Sequence, residues 1–313
     1  MHVESTVALA LLPDFALILL GAGLRRVLHL GDDFWNGLEK LVYHVLFPAL
    51  LFGGLVKTHI DWSGAAPMVA VAAGATGAGM LLGLAARRLP IAPISFASQY
   101  QCAFRFNSYI GLAVAGTLYG AAGVAAMGIV VGFMVPPVNV AAVWMLARHG
   151  EAGVWRELAR NPLLLATLAG IAVNLAGIAP PEVLLRLLGR LAEAAIALGL
   201  LAVGAGLRMV ATGASAEPGT PRRCEPTVTH AAVGYLLLVK LVAMPATALL
   251  LIRSFGLAGI HADIALAFSA LPTASSAYIL AQRMGGDGAR VAWLISASTL
   301  IAMVSLPLWL AVR

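Results

Sequence analysis

Charge is scarce in this sequence. Asp, Glu, Lys and Arg make up 11% of its 313 residues, and the 42 residues from Phe106 to Ala147 contain none of them. Soluble domains carry about 25% charged and about 45–50% apolar residues. Here the apolar share is 61% and the mean hydropathy is +0.92, which excludes a soluble multidomain enzyme. A bilayer core takes about 20 apolar residues per helix, so the uncharged stretch is long enough to cross it about twice. The sequence reads as a polytopic membrane protein.

Cysteine is almost absent. Cys102 lies inside an apolar segment and Cys224 in a polar loop, so neither a disulfide framework nor a metal quartet can be built. Enzyme signatures are missing as well: there is no His-Glu-x-x-His, no Gly-x-Ser-x-Gly and no Gly-Lys followed by Ser or Thr. An ATP-driven pump needs a soluble nucleotide domain, and the longest loop, about residues 208–229, is too short to be one. No catalytic residue, metal or cofactor is expected. Met1–Thr6 holds no Lys or Arg ahead of the first apolar run, unlike a cleaved signal peptide, so the first helix is expected to remain in the protein. The net charge of +6 and pI near 9.7 come from basic residues standing singly between apolar segments, not from a patch. They orient helices, and no nucleic-acid partner is expected.

What the sequence has in abundance is apolar runs. Bounded by charges and Pro/Gly clusters, ten spans are predicted at 6–24, 35–56, 66–86, 94–119, 122–147, 161–179, 190–207, 230–252, 261–282 and 290–312. Loops after odd-numbered spans hold twelve basic residues, among them Arg25, Arg26, Arg87, Arg88 and Arg148. The opposite side holds five: Lys57, Arg186, Arg190, Arg253 and Arg313. The positive-inside rule makes the odd loops cytoplasmic and puts both termini outside the cytoplasm.

The spans divide into two fives with shared punctuation. Span 4 carries Arg105-Phe106-Asn107-Ser108 near its middle, and span 9 carries Pro272-Thr273-Ala274-Ser275-Ser276 at the same place. Span 5 carries Pro136-Pro137 and span 10 carries Pro307. Because each half has an odd number of spans, the second half enters the membrane the other way round. Paired interrupted helices in an inverted repeat point to a binding site near the midplane. The expected fold is therefore an all-α membrane protein of ten transmembrane helices, with a 5+5 inverted repeat and broken, crossing helices at spans 4 and 9. The first repeat is 1–147, a cytoplasmic linker 148–160, and the second repeat 161–313.

Polar groups at that depth carry the functional reading. Pro272 removes a backbone donor, and the Thr-Ala-Ser-Ser after it offers hydroxyls to the freed groups. A kink that only bends the helix is the alternative. Asn107 and Ser108 need partners where no water is, and Arg105 brings a full charge, which costs at least about 2.5–3.5 kcal/mol at mid-bilayer on insertion scales. Half-helix N-termini at the breaks would favour an anion. Candidate substrate-binding residues are Arg105, Asn107, Ser108, Pro272, Thr273, Ser275 and Ser276. Lys240 in span 8 and Asp14 in span 1 are deep charges with a coupling or charge-balancing role, or else a snorkelling stem and a structural pair. Glu39, Lys40, Glu193 and Asp263, near span ends, are expected to snorkel. His44 could shuttle protons, although a lone helical His is more often a packing residue. Gly79-x-x-x-Gly83 and Gly116-x-x-x-Gly120 read as close helix packing.

Four stretches carry a resemblance to a known family. They are Phe104-Arg105-Phe106-Asn107-Ser108-Tyr109-Ile110-Gly111, the run Leu271 to Ala281 with Gly285-Gly286 after it, the ending Ser298-Thr299-Leu300 to Leu306-Pro307-Leu308, and Phe47-Pro48-Ala49-Leu50-Leu51-Phe52. Together they resemble bacterial members of the auxin efflux carrier family, over nearly the whole chain. The resemblance implies a secondary transporter related in architecture to bile-acid symporters and the sodium/proton antiporter fold. Spans 1, 2, 6 and 7 would form a scaffold, and spans 3–5 and 8–10 a moving transport domain. It also implies an organic carboxylate such as malonate, malate or an auxin-like acid as cargo, in the bacterial inner membrane. Asn107 falls where the family places its span 4 crossover asparagine, and Pro272 where it places its span 9 proline. A proline common after the span 4 glycine is here Ala113, which predicts a milder break. Ser275 and Ser276 stand where plant members have an asparagine nearby, and the long plant loop is reduced to about Arg148–Arg160. H+ and Na+ are the alternative coupling ions, and monomer and homodimer the alternative assemblies. Beside elevator-type carboxylate transport stand two other readings: a sodium-coupled bile-acid-like symporter, and a channel or sensor without coupled transport.

Overall fold

The structure, a computed structural model, describes residues 2–57, 62–147, 162–207 and 229–313. The linker 148–160, most of the 208–229 loop and Cys224 lie outside the described residues. Among the described residues every regular element is a helix. Helix α1 spans His2–Val27; α2 spans Asp32–Leu41 and continues through a π turn at Val42–Leu46 into α3, Phe47–Lys57. Next come α4 (Trp62–Ala85), α5 (Pro93–Tyr100) and α6 (Ser108–Ala147), and then α7 (Pro162–Leu175) and α8 (Glu182–Ala205). Helix α9 (Thr229–Leu238) passes through a second π turn, Val239–Ala243, into α10 (Met244–Phe255). The last three are α11 (Gly259–Ala270), α12 (Ser276–Arg283) and α13 (Gly288–Val312).

Among the described residues, six helical stretches are long and apolar enough to cross a membrane: Asp32–Lys57, Ser63–Arg88, Pro93–Leu146, Glu182–Ala205, Ala231–Phe255 and Gly288–Val312. The third runs 54 residues because it takes in α5, the break after it and α6, itself two helical pieces joined at Gly120, whose φ of 57° and ψ of −140° lie outside the helical region. Only glycine adopts that backbone without strain. Large apolar side chains stand exposed around the bundle, among them Leu9, Leu12, Leu81, Leu250 and Val304. In water such a collar would be a liability, whereas against lipid tails it has its solvent.

Packing sorts the helices into two groups. Helix α1 lies along α8, and α3 lies against both α7 and α8. Small residues allow the closest approach: a Cβ on Gly21 would fall 2.1 Å from the Leu201 carbonyl oxygen, and one on Gly204 would fall 1.8 Å from that of Ile18. In the other group α4, α6, α10 and α13 surround α11, whose residues Ile264–Ala270 are buried. The groups meet where α6 touches α1, α3, α7 and α8, and where α1 touches α13. Of the two glycine pairs, Gly79 and Gly83 do pack closely, against Met244 and Ala103, whereas Gly120 serves the reversal in α6.

Candidate functional site

Two helix interruptions face each other inside the second group. The first lies between α5 and α6. Helix α5 tightens into a 3-10 turn at Gln101–Ala103, Phe104 leaves helical geometry at φ −137° and ψ −18°, and Arg105–Asn107 has no regular structure. Asn107 then starts α6: its Oδ1 accepts from the backbone N–H of Tyr109 at 3.0 Å and of Ile110 at 3.3 Å, an N-cap. Ala113 sits buried inside α6, and the interruption is complete without a proline there. The second break has proline as its cause. Leu271, the residue before Pro272, is extended at φ −60° and ψ 145°, as proline demands of its predecessor, so α11 stops at Ala270 and α12 begins at Ser276.

Each break frees backbone groups that a lipid environment cannot satisfy. They satisfy one another. The Asn107 N–H donates to the Pro272 carbonyl at 2.9 Å, and the Thr273 hydroxyl to the Cys102 carbonyl at 3.0 Å. Gln101 Nε2 donates to the Ala277 carbonyl at 3.1 Å and to that of Ser98 at 3.1 Å. Arg105, 8% exposed, donates to Gln101 Oε1 at 3.0 Å and to Ser276 Oγ at 3.0 Å. The Thr273 N–H donates to Ser298 Oγ at 3.2 Å, anchoring the second break to α13.

Arg105, Asn107, Ser108, Pro272, Thr273, Ser275 and Ser276 are thus brought together at one junction. Thr273 is buried, Ser108 and Ser275 are half-buried and Ser276 is exposed. Asn107 is 3% exposed, and with its Oδ1 committed to the cap, its Nδ2 donor is buried and makes no hydrogen bond. A buried orphan donor carries a cost of about 1–3 kcal/mol and calls for an explanation.

Asp14 and Lys240 do not join this cluster and do not pair with each other here. Asp14 accepts from the Thr117 hydroxyl at 2.8 Å, tying α1 to α6. Lys240, 0% exposed, contacts Met244 Sδ at 3.6 Å and does not snorkel. Asp263 departs from expectation too: it is held by Arg313 and by the Tyr119 hydroxyl, where a snorkelling side chain would reach for water. Glu193 stands exposed beside Arg190. His44 is exposed, with Nδ1 3.0 Å from the Lys40 carbonyl of its own helix, a local bond. Cys102 is a buried free thiol.

Sequence reasoning passed over Gln101 and Ser298. Gln101 stands four residues before Arg105, the spacing of neighbours on a helix, and a glutamine in an apolar run was the available signal.

Against known proteins, residues 151–310 match the family described as Membrane transport protein. The chain belongs to this family, that of the auxin efflux carriers. It is accordingly an integral membrane transporter and not an enzyme, with a small-molecule substrate and the lipid bilayer as its surroundings. A relative from Rhizobium meliloti (strain 1021) named "Putative malonate transporter" is 26% identical over 311 residues, covering 94% of this chain and 92% of that protein.

Proposed function

We propose that the protein is a secondary active transporter of small organic carboxylates, malonate among them, that binds its anion at the junction of the two helix breaks. The observation that carries this reading is Asn107 Nδ2, a buried donor without a partner, beside a buried arginine. A carboxylate supplies acceptors for both, and charge-assisted bonds are the stronger kind. The half-buried hydroxyls of Ser108 and Ser275 offer further contacts at the same place. The name of the Rhizobium relative supports malonate as the first cargo to test.

Transport then runs by an elevator-type alternation. We read the chain as ten crossings in two inverted fives, with both termini outside the cytoplasm of the bacterial inner membrane. Spans 1, 2, 6 and 7 serve as scaffold, a division favoured by the packing of α1 on α8 and of α3 on α7 and α8. The remaining spans carry the junction across. The surface between the groups is lined largely by apolar and small side chains, which slide readily, and the Thr117–Asp14 hydrogen bond across it must break as they do.

Counterflow in proteoliposomes tests the reading. Vesicles loaded with unlabelled malonate should accumulate labelled malonate transiently, as only a carrier with an occluded site does. Uptake that ignores the internal load indicates a channel, and exchange that requires Na+ indicates the sodium-coupled alternative. An absence of malonate exchange removes malonate from the proposal.

A further inference from the structure

Lys240 is a buried cation that neither the fold nor the transport reading has used. It stands in the π turn Val239–Ala243, and single π turns inside helices frequently occur at functional places. The turn packs against α4, α11, α13 and the 3-10 turn Gln101–Ala103 that ends the first half of span 4. None of these offers Lys240 a carboxylate among the described residues. Helix α4 has no acidic residue, Asp263 of α11 is taken by Arg313, and Asp287 ahead of α13 lies 3.0 Å from Arg290. Among the described residues, the one polar contact of the ammonium is the sulfur of Met244. A buried charge in hydrocarbon needs a better counterpart than a thioether.

A carbonyl stands near that sulfur. A Cβ placed on Gly79 would sit 2.8 Å from Met244 Sδ and 3.1 Å from the Ala103 carbonyl oxygen, so sulfur and carbonyl are neighbours across this glycine. Ala103 closes the 3-10 turn; the Gln101 carbonyl accepts from the Phe104 and Arg105 N–H groups and the Cys102 carbonyl from Thr273, and a helix C-terminus carries about half a negative charge on the carbonyls left over. The same helix end is two residues from Arg105, whose guanidinium already bonds to Gln101 of that turn. Without a second cation, the helix end would draw on the arginine charge meant for the anion.

We propose that Lys240 is a positioning residue for the anion site: packed behind the span 4 break, its charge offsets the Ala103 carbonyl that ends the 3-10 turn and leaves the Arg105 charge to the substrate. It touches no substrate itself, consistent with its complete burial. This inference rests on the anion-site reading above, and its test has one arm that needs no cargo.

In the first arm, Ser108→Cys on a Cys224→Ser background reports the local potential through its relative reaction rates with an anionic and a neutral methanethiosulfonate. Adding Lys240→Met should lower the anionic-to-neutral rate ratio several-fold, and Lys240→Arg should restore it. In the second arm, Lys240→Met should weaken malonate binding about tenfold, as for a partly buried charge at a helix end, with the elution profile on size exclusion unchanged. Lys240→Gln takes the place of Lys240→Met if the latter does not fold. A rate ratio equal to the parent's overturns the inference, whatever malonate does. If the parent exchanges no malonate, the cargo assignment fails while the rate ratio still decides the role of Lys240.

Discussion

The ring of Phe47 lies on the ring of Tyr109, with centroids 4.6 Å apart and planes 7° from parallel. Phe47 opens α3 and is wholly buried, while Tyr109 is the second residue of α6, two positions past the orphan amide of Asn107. The stack therefore spans the seam between the two helix groups, beside the junction proposed to hold the anion. An elevator must separate these rings. A bifunctional thiol crosslink between Phe47→Cys and Tyr109→Cys, on a background lacking Cys224, should abolish counterflow while leaving malonate binding measurable. Full transport with the crosslink in place would rule out the elevator and favour local gating at the breaks.

Asn107 does two things that substitution can separate. Asn107→Asp keeps a cap acceptor but removes the Nδ2 donor, so it should unfold like the parent and lose malonate binding. Asn107→Ala should lose binding and also about 1 kcal/mol of stability from the missing cap. Arg105→Gln should weaken binding by about 2–5 kcal/mol, the usual cost of removing one member of a buried charge-assisted contact. Titration calorimetry in detergent reads all three; parental affinity in both Asn107→Asp and Arg105→Gln would place the site elsewhere.

Topology rests on the loop charges. Single cysteines near Met1 and in the 208–229 loop should react oppositely with an impermeant thiol reagent applied to whole cells lacking Cys224. Equal labelling at the two places contradicts the orientation.

The α1–α8 contact should tolerate no added methyl group. Gly204→Ala drives a Cβ to 1.8 Å from the Ile18 carbonyl oxygen, so the helices must part and the thermal midpoint should fall by several degrees. Gly234→Ala, whose Cβ would meet nothing within 4 Å, should leave it unchanged or raise it slightly. Equal midpoints for the two variants would show that this seam is looser than the structure has it.

Much of the site was legible because it obeys local rules. Pro272 announces its own break through the residue before it, and Arg105 and Asn107 stand out because a charge and an amide are costly in an apolar run. What could not be read were partners brought from far along the chain. Nothing local to Asp14 names Thr117, 103 residues away, and nothing local to Asp263 names Tyr119. The burial of Lys240 was equally hidden, since snorkelling and full enclosure leave the same trace in a sequence. The π turns at Val42–Leu46 and Val239–Ala243 have no signature in apolar periodicity, which still reads as one continuous helix.

The bonds that hold the two breaks together differ in how much they constrain the sequence. The Pro272, Cys102 and Ala277 acceptors are all main-chain carbonyls, and the Asn107 donor to Pro272 is main chain as well. Any residue that fits the buried space can stand at positions 102 and 277 without loosening these bonds. Identity is pinned where a side chain does the bonding: Gln101, Arg105 and Thr273 as donors, with Ser276, Ser298 and the Asn107 cap as acceptors. The junction can thus keep its backbone frame while the residues around it change. The frame is inherited through the backbone, and selectivity is left to a handful of side chains.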